Sequence, residues 1–222
     1  MTANLPSLPA FPSEPVSPST ILEGFLPDLF GCLAQGRALP ATVLELGFQL
    51  DGEDGGEWVC GVRDGALAVE RAERDCATLT VIQSVEDWRG ALWEGRGGLF
   101  GRVANALLKG DALLALRDQH GEREPDFEAL EPLNRLDGLI EVVLVGDDGD
   151  NWSVSVKLGP GAVPDEPSAT VRIRAEDAAA IESGELDPLQ AFMGGQIEVL
   201  GDMTLVLQLQ AVLMQAMRPP PR

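Results

Sequence analysis

The sequence predicts a mixed α and β protein made of two successive copies of one unit. Three observations predict it. Hydrophobic spacing changes from helical to strand-like and back within the first hundred residues. The same order of signals then returns at a near-constant offset. The length of 222 residues suits two units of roughly 100 residues each.

The chain opens on an arm, residues 1–18, in which Pro6, Pro9, Pro12, Pro15 and Pro18 recur every third position. Polyproline II has three residues per turn, so these rings line one edge. Such an arm is either a ligand for a proline-binding groove or an extended segment laid along its own domain. Leu5, Leu8 and Phe11 supply anchors, so a partly docked arm is expected.

The first unit spans residues 19–117. Ser19 or Thr20 caps a helix with the stripe Ile21, Leu22, Phe25, Leu29, Phe30 and Leu33. Pro27 is expected to break or kink it. Period two follows, with Leu44, Leu46, Phe48 and Leu50 alternating with Glu45, Gly47 and Gln49. Beyond an acidic, glycine-rich turn at 51–57, Trp58, Cys60 and Val62 alternate again. That pattern is a hairpin with one buried face. A turn at Arg63, Asp64 and Gly65 leads into a third strand at 66–70, and a fourth lies at 78–83. Residues 84–87 start a short helix that continues over 88–94. Residues 95–98 form a flexible joint, and 112–116 read as a last strand.

Residues 118–135 form an acidic connector with a short helix, and 136–217 repeat the pattern. Positions 136–144 alternate into an acidic turn at 145–151, and Trp152, Val154 and Val156 alternate out of it. Trp58 and Trp152 are 94 positions apart, as are Phe48 and Val142, and Leu50 and Leu144. Thr78 matches Thr170, Glu86 matches Glu176, Gly95 matches Gly184, Phe100 matches Phe192, and Gly110 matches Gly201. The offset drifts only between 89 and 94. A shared order over so many residues points to a tandem duplication. The tail, 218–222, carries three prolines and stops the last helix.

Acids outnumber bases 36 to 16, for a formal charge of −20. Sequence-independent nucleic-acid binding needs Lys and Arg to neutralise phosphates, and this chain has too few. Attraction to anionic lipid headgroups is excluded on the same ground. With 45% hydrophobic residues the chain is not disordered. The single histidine, His120, sits in a polar connector, so neither a His-rich metal site nor a Ser-His-Asp triad is expected. Cys32, Cys60 and Cys76 show no paired spacing and read as small buried hydrophobes in a reducing compartment. The acidic run Asp147, Asp148, Gly149, Asp150, Asn151 lacks calcium-loop spacing and reads as a solvated hairpin tip. The first 19 residues show no secretory signal, and no stretch of about 20 apolar residues occurs, so a cytoplasmic protein is expected.

Residues 187–212 carry a specific pattern. It runs Asp187-Pro188, Ala191-Phe192-Met193, Gly195, Ile197, Val199, Gly201-Asp202-Met203, Leu205, Leu207 and Leu209. This closely resembles the C-terminal signature of the sterol carrier protein type-2 domain. The run Ala169 to Ile173, then Glu176-Asp177 and Ser183-Gly184, matches the strand and short helix that precede it. The first copy resembles the same family best in its earlier part, through Phe48 to Gly52, Trp58, Asp64-Gly65 and 77–87. The resemblance covers about Thr20 to Met217. It implies an α+β fold in two copies, each a five-stranded, largely antiparallel sheet with helices packed over one face. It also implies an apolar tunnel between helices and sheet for sterols, fatty acids or acyl-CoA, without catalytic residues. The first copy lacks the Asp-Pro before Phe100. The second crowds Pro160, Pro164 and Pro167 into its third-strand region, which cannot then be a central strand. The second sheet is expected to lose an element or borrow one from the first copy.

Ile181, Phe192, Met193, Ile197, Leu205, Leu207, Leu213, Met214 and Met217 crowd residues 181–217. They read either as a pliable apolar pocket, with methionines adapting to flexible chains, or as plain core packing. The resemblance favours ligand contact for Phe192, Met193, Ile197 and Met214, with Trp88, Trp93, Phe100 and Val103 as their first-copy equivalents. The expected function is non-catalytic carriage of a hydrophobic small molecule, a lipid such as a sterol, fatty acid or quinone-like compound. The negative surface favours a neutral cargo. No catalytic residue, metal ligand, cofactor, nucleic acid or stable membrane insertion is expected. The alternative is a structural pseudo-dimer with lost tunnels, acting as an accessory subunit to a basic protein partner. Residues 118–222 hold 20 acids and 7 bases, against 16 and 9 in residues 1–117, so the acidity is concentrated in the second part.

Overall fold

The computed structural model describes residues 8–34, 45–98, 101 and 127–216. Within them the chain forms one eight-stranded mixed sheet and five α-helices. A π-helical turn, Thr20–Phe25, runs into α1, Leu26–Ala34. Four strands follow: β1, Leu46–Asp51; β2, Gly56–Arg63; β3, Ala66–Glu70; and β4, Leu79–Ser84. Helix α2, Val85–Arg89, continues into a second π turn, Gly90–Glu94. The 3-10 helix Phe127–Arg135 leads to β5, Gly138–Val145, β6, Trp152–Leu158, and β7, Ala169–Arg174. Helices α3, Ala175–Ser183, and α4, Pro188–Met193, precede β8, Ile197–Gly201, and α5, Met203–Ala216.

The strand order is β3-β2-β1-β4-β6-β5-β7-β8. β1 pairs antiparallel with β2 and parallel with β4. β5 repeats this, antiparallel with β6 and parallel with β7. Each half is therefore a hairpin whose first strand takes a later strand on its other side. In each half a left-handed glycine ends the helix after that later strand: Gly95 (φ 73°) and Gly184 (φ 78°). A left-handed C-terminal residue costs least as glycine, which explains the matched positions.

Two five-stranded sheets are expected from the sequence; among the described residues the strands form one continuous eight-stranded sheet. The halves join through antiparallel β4 and β6, in register from Leu79 opposite Leu158 to Ile82 opposite Ser155. The physical reason lies after β6. Pro160, Pro164 and Pro167 lack the N–H that a ladder needs, and residues 159–167 form no strand. The flank of β6 is left open and β4 fills it. Lys157 finishes the turn from beneath. Its buried ammonium donates to Asp137 and to the carbonyls of Leu158 and Gly159, at 2.9, 2.8 and 3.2 Å. The strand expected at 112–116 lies outside the described residues.

Pro27 does not break its helix. A proline ring in a helix collides with the carbonyl four residues back. Here the preceding turn is widened to π geometry, closed by the Leu26 N–H donating to the Ile21 carbonyl, and the helix continues.

Alternate strand residues face the helices in two packed groups. Ile21, Leu22, Phe25, Leu50, Trp58, Trp88 and Leu92 fill the first half. Ile140, Val142, Leu144, Trp152, Val154, Ala178 and Leu205 fill the second, together with Ala91 from the π turn after α2. Helix α2 thus serves both. Its Asp87 carbonyl also accepts the Trp152 indole N–H at 2.9 Å.

Candidate functional site

The end of the chain is built to hold apolar side chains outward. Asp187 caps α4, its carboxylate accepting from the Leu189 and Gln190 N–H groups at 3.0 Å each, with Pro188 in the first turn. Ala191 is fully buried and pins one face of this short helix. Leu189, Phe192 and Met193 fall at i, i+3 and i+4 on the other, and are 69%, 39% and 78% exposed. Beyond Gly194 and Gly195 the chain enters β8, which pairs only with β7 and forms one edge of the sheet. Ile197 and Val199 lie opposite Ile173 and Val171 and are half-buried, whereas Leu200 is exposed. Asp202 then caps α5 through the Thr204 and Leu205 N–H groups. Leu205 turns into the core, and Leu207, about 200° further round the helix, turns out. The exposed large hydrophobic residues among the described residues are Leu189, Phe192, Met193, Leu200 and Leu207, all within three successive elements.

The residues singled out from the sequence divide into groups. Helix α4, which carries Phe192 and Met193, packs beside α3, which carries Ile181, and β8, which carries Ile197. Leu205 belongs to the second core group. Trp88 and Trp93 pack edge to face, centroids 5.7 Å apart, in the first half and far along the sheet from β8. Phe100, Val103 and Met217 lie outside the described residues, as do the side chains of Leu213 and Met214. Leu189 and Leu200 escaped the sequence reading. The i, i+3, i+4 spacing of Leu189 with Phe192 and Met193 was the signal available.

Two cavities lie elsewhere. One, of about 530 Å3, is bounded by the Gly95–Gly98 loop, the β5–β6 tip with Leu144, Asp147, Asp150 and Trp152, and α3 at Ala179 and Glu182. Arg96 ties its rim together, donating to Asp150 at 2.8 Å. Gly97 stands so close to the Trp152 ring that a Cβ would have no room. The other, of about 380 Å3, lies between the N-terminal arm and Leu92 and Trp93. Neither is lined by Phe192, Met193 or Ile197.

Burial pushes the Cys60 thiol up to about 12, which makes it an inert core group. Among the described residues, no group of three His, Cys, Asp or Glu could hold a metal ion. No described helix is long and apolar enough to cross a membrane.

The C-terminal surface lies within a recognisable domain. Residues 118–214 match the SCP-2 sterol transfer family. Hydroxysteroid dehydrogenase-like protein 2 of Xenopus tropicalis is 29% identical over 123 residues, covering 50% of this chain and 30% of that protein. Sterol carrier protein 2 of Rattus norvegicus is 34% identical over 68 residues, 29% of this chain and 12% of that protein. The chain thus spans under a third of the length of these two relatives. Among solved structures, sterol carrier protein 2 like 2 of Aedes aegypti is 24% identical, covering 45% of this chain and 91% of its own, with a TM-score of 0.29.

Proposed function

We propose that this protein binds a hydrophobic, lipid-like molecule without transforming it, and that the site is the outward apolar surface of α4, β8 and α5. One observation carries the reading. Among the described residues, the exposed large hydrophobics lie at 189–207, inside the segment that matches a sterol transfer family. Exposed apolar area costs roughly 25 cal/mol per Å2, and concentrated patches mark interaction sites. Phe192, Met193 and Ile197 are assigned to the ligand, joined by Leu189, with Met214 completing the set. Met193 suits a flexible chain because its thioether is unbranched and polarisable.

The same reading takes the chain as a tandem of two units, residues 19–117 and 136–217, in the cytoplasm. The repeated hairpin and crossover support it, as do the matched glycines. The first unit serves as scaffold, because Trp58, Trp88 and Leu92 fill its interior. This keeps part of the alternative reading, an internal pseudo-dimer, for one half only.

The test is native mass spectrometry of gently purified protein together with titration of a fluorescent fatty-acid probe. Bound lipid or saturable probe uptake is expected, and Phe192→Ser with Met193→Ser should weaken uptake at least tenfold. Both side chains are exposed, so the thermal melt should barely move. A clean apo mass with no probe uptake by the wild-type chain would refute the proposal.

A further inference from the structure

The proline-rich arm has a seat. Leu8, Phe11 and Val16 pack against the first-half core. The Phe11 ring stands edge to face against Phe25, centroids 5.4 Å apart, and tilted against Trp93 at 5.3 Å. The Trp93 indole N–H donates to the Pro12 carbonyl at 2.9 Å. Pro9 and Pro12, three positions apart, flank the inserted ring. The 380 Å3 space beside them runs along the same side, bounded by residues 9–13, Leu92 and Trp93.

This is the chemistry by which aromatic clefts hold proline-rich segments. Such segments carry few backbone N–H groups, so their carbonyls are free to accept. A tryptophan supplies a flat apolar wall and one donor at its edge. Proline also limits the conformations that binding must freeze out. The contact is long-range in sequence, with 81 positions between Pro12 and Trp93. It is therefore a docking event, not a local turn.

We infer that the cleft formed by Phe25, Leu92 and Trp93 is a peptide-binding site for an aromatic-proline segment, occupied here by the chain's own residues 9–12. The partner is a segment of another chain with the same chemistry, an aromatic side chain directly before a proline. The arm acts as a built-in competitor. Tethering gives it a local concentration on the order of millimolar, so an outside segment enters only when the arm is displaced or outcompeted. The inference is independent of the lipid site, which uses other elements.

The experiment uses the full chain carrying Phe11→Ala, which empties the seat, and a fluorescein-labelled peptide of residues 8–16. Polarisation should show saturable binding to this variant and at least tenfold weaker binding to the wild-type chain. Replacing the phenylalanine of the peptide by alanine should cost tenfold or more. Trp93→Phe in the same background keeps a ring, removes the donor and should weaken binding severalfold. Lipid-probe uptake by Phe11→Ala should equal wild type, so failure of one site is not mistaken for failure of the other. If Phe11→Ala loses its cooperative melt, Phe11→Leu is tested in its place. A folded variant that takes up no peptide, or takes up the alanine peptide equally well, overturns the inference.

Discussion

Glu23 shows how much of the first half hangs on one carboxylate. It accepts from the Trp58 indole N–H at 2.7 Å and from Arg71 at 2.7 Å, across 35 and 48 positions of sequence. The Arg71 guanidinium also lies 5.1 Å from the centre of the Trp58 ring. The indole bond first, then the arginine, hold the Glu23 carboxyl below its ordinary value of 4.5. A lowered carboxylate pKa stabilises the fold above the unfolded value, and that contribution fades as pH falls through the folded value. Glu23→Gln should therefore lose stability at pH 7, by about 0.5–1 kcal/mol because the group is half-exposed and screened. As pH falls below the ordinary glutamate range and through the lower folded value, the variant and the wild type should converge. Urea melts at pH 7 and pH 3 check this, and an equal gap at both would contradict it. None of this contact was legible in the sequence. Alternation placed Trp58 on the buried face, but period two says nothing about which distant acid meets the indole.

The elements themselves were more legible than their neighbours. Alternating residues located the first hairpin, and the turn at Arg63, Asp64 and Gly65 located the strand at 66–70, because strand and turn signals are local. The spacing of apolar residues also located α1, but not the π turn that accommodates Pro27, because a widened turn leaves the side-chain pattern nearly unchanged. Phe192 and Met193 could be nominated from a resemblance, whereas their outward direction depends on Ala191 being the buried face of α4. The choice of β6 as partner for β4 is long-range. The prolines after β6 showed that a strand would be missing there, not which one would replace it. That junction makes its own prediction. Thr80 is 2% exposed and sits between Gly47 of β1 and Lys157 of β6. Thr80→Pro removes a donor from a central strand and should cost at least about 3 kcal/mol. Because β4 belongs to both neighbours, the indole signals of Trp58 and Trp152 should lose native dispersion together. Loss at Trp58 with Trp152 intact would mean that the halves fold separately.

At the scale of the whole molecule, the charge sets a competition that counting resolves. Salt weakens attractive ion pairs and like-charge repulsion alike. With 36 acids and 16 bases, at least 20 acids have no basic partner even if every Arg and Lys is paired once. Among the described residues the pairs are mostly exposed, such as Arg63 with Glu70 and Arg174 with Glu176, and such pairs are each worth about 0–1 kcal/mol. The repulsion is summed over the surplus and destabilises the compact state. The acids are also unevenly placed, with the larger surplus in residues 118–222, which hold β5 to β8 and the outward apolar surface. Repulsion should outweigh the pairs, so raising sodium chloride from about 10 mM to about 500 mM should raise the melting temperature by several degrees. A chloride-independent gain with sodium sulfate beyond that would report preferential exclusion, so the comparison is made at matched ionic strength. A melting temperature that falls with salt would show that the ion pairs dominate, and that the acidic excess is held apart by the fold.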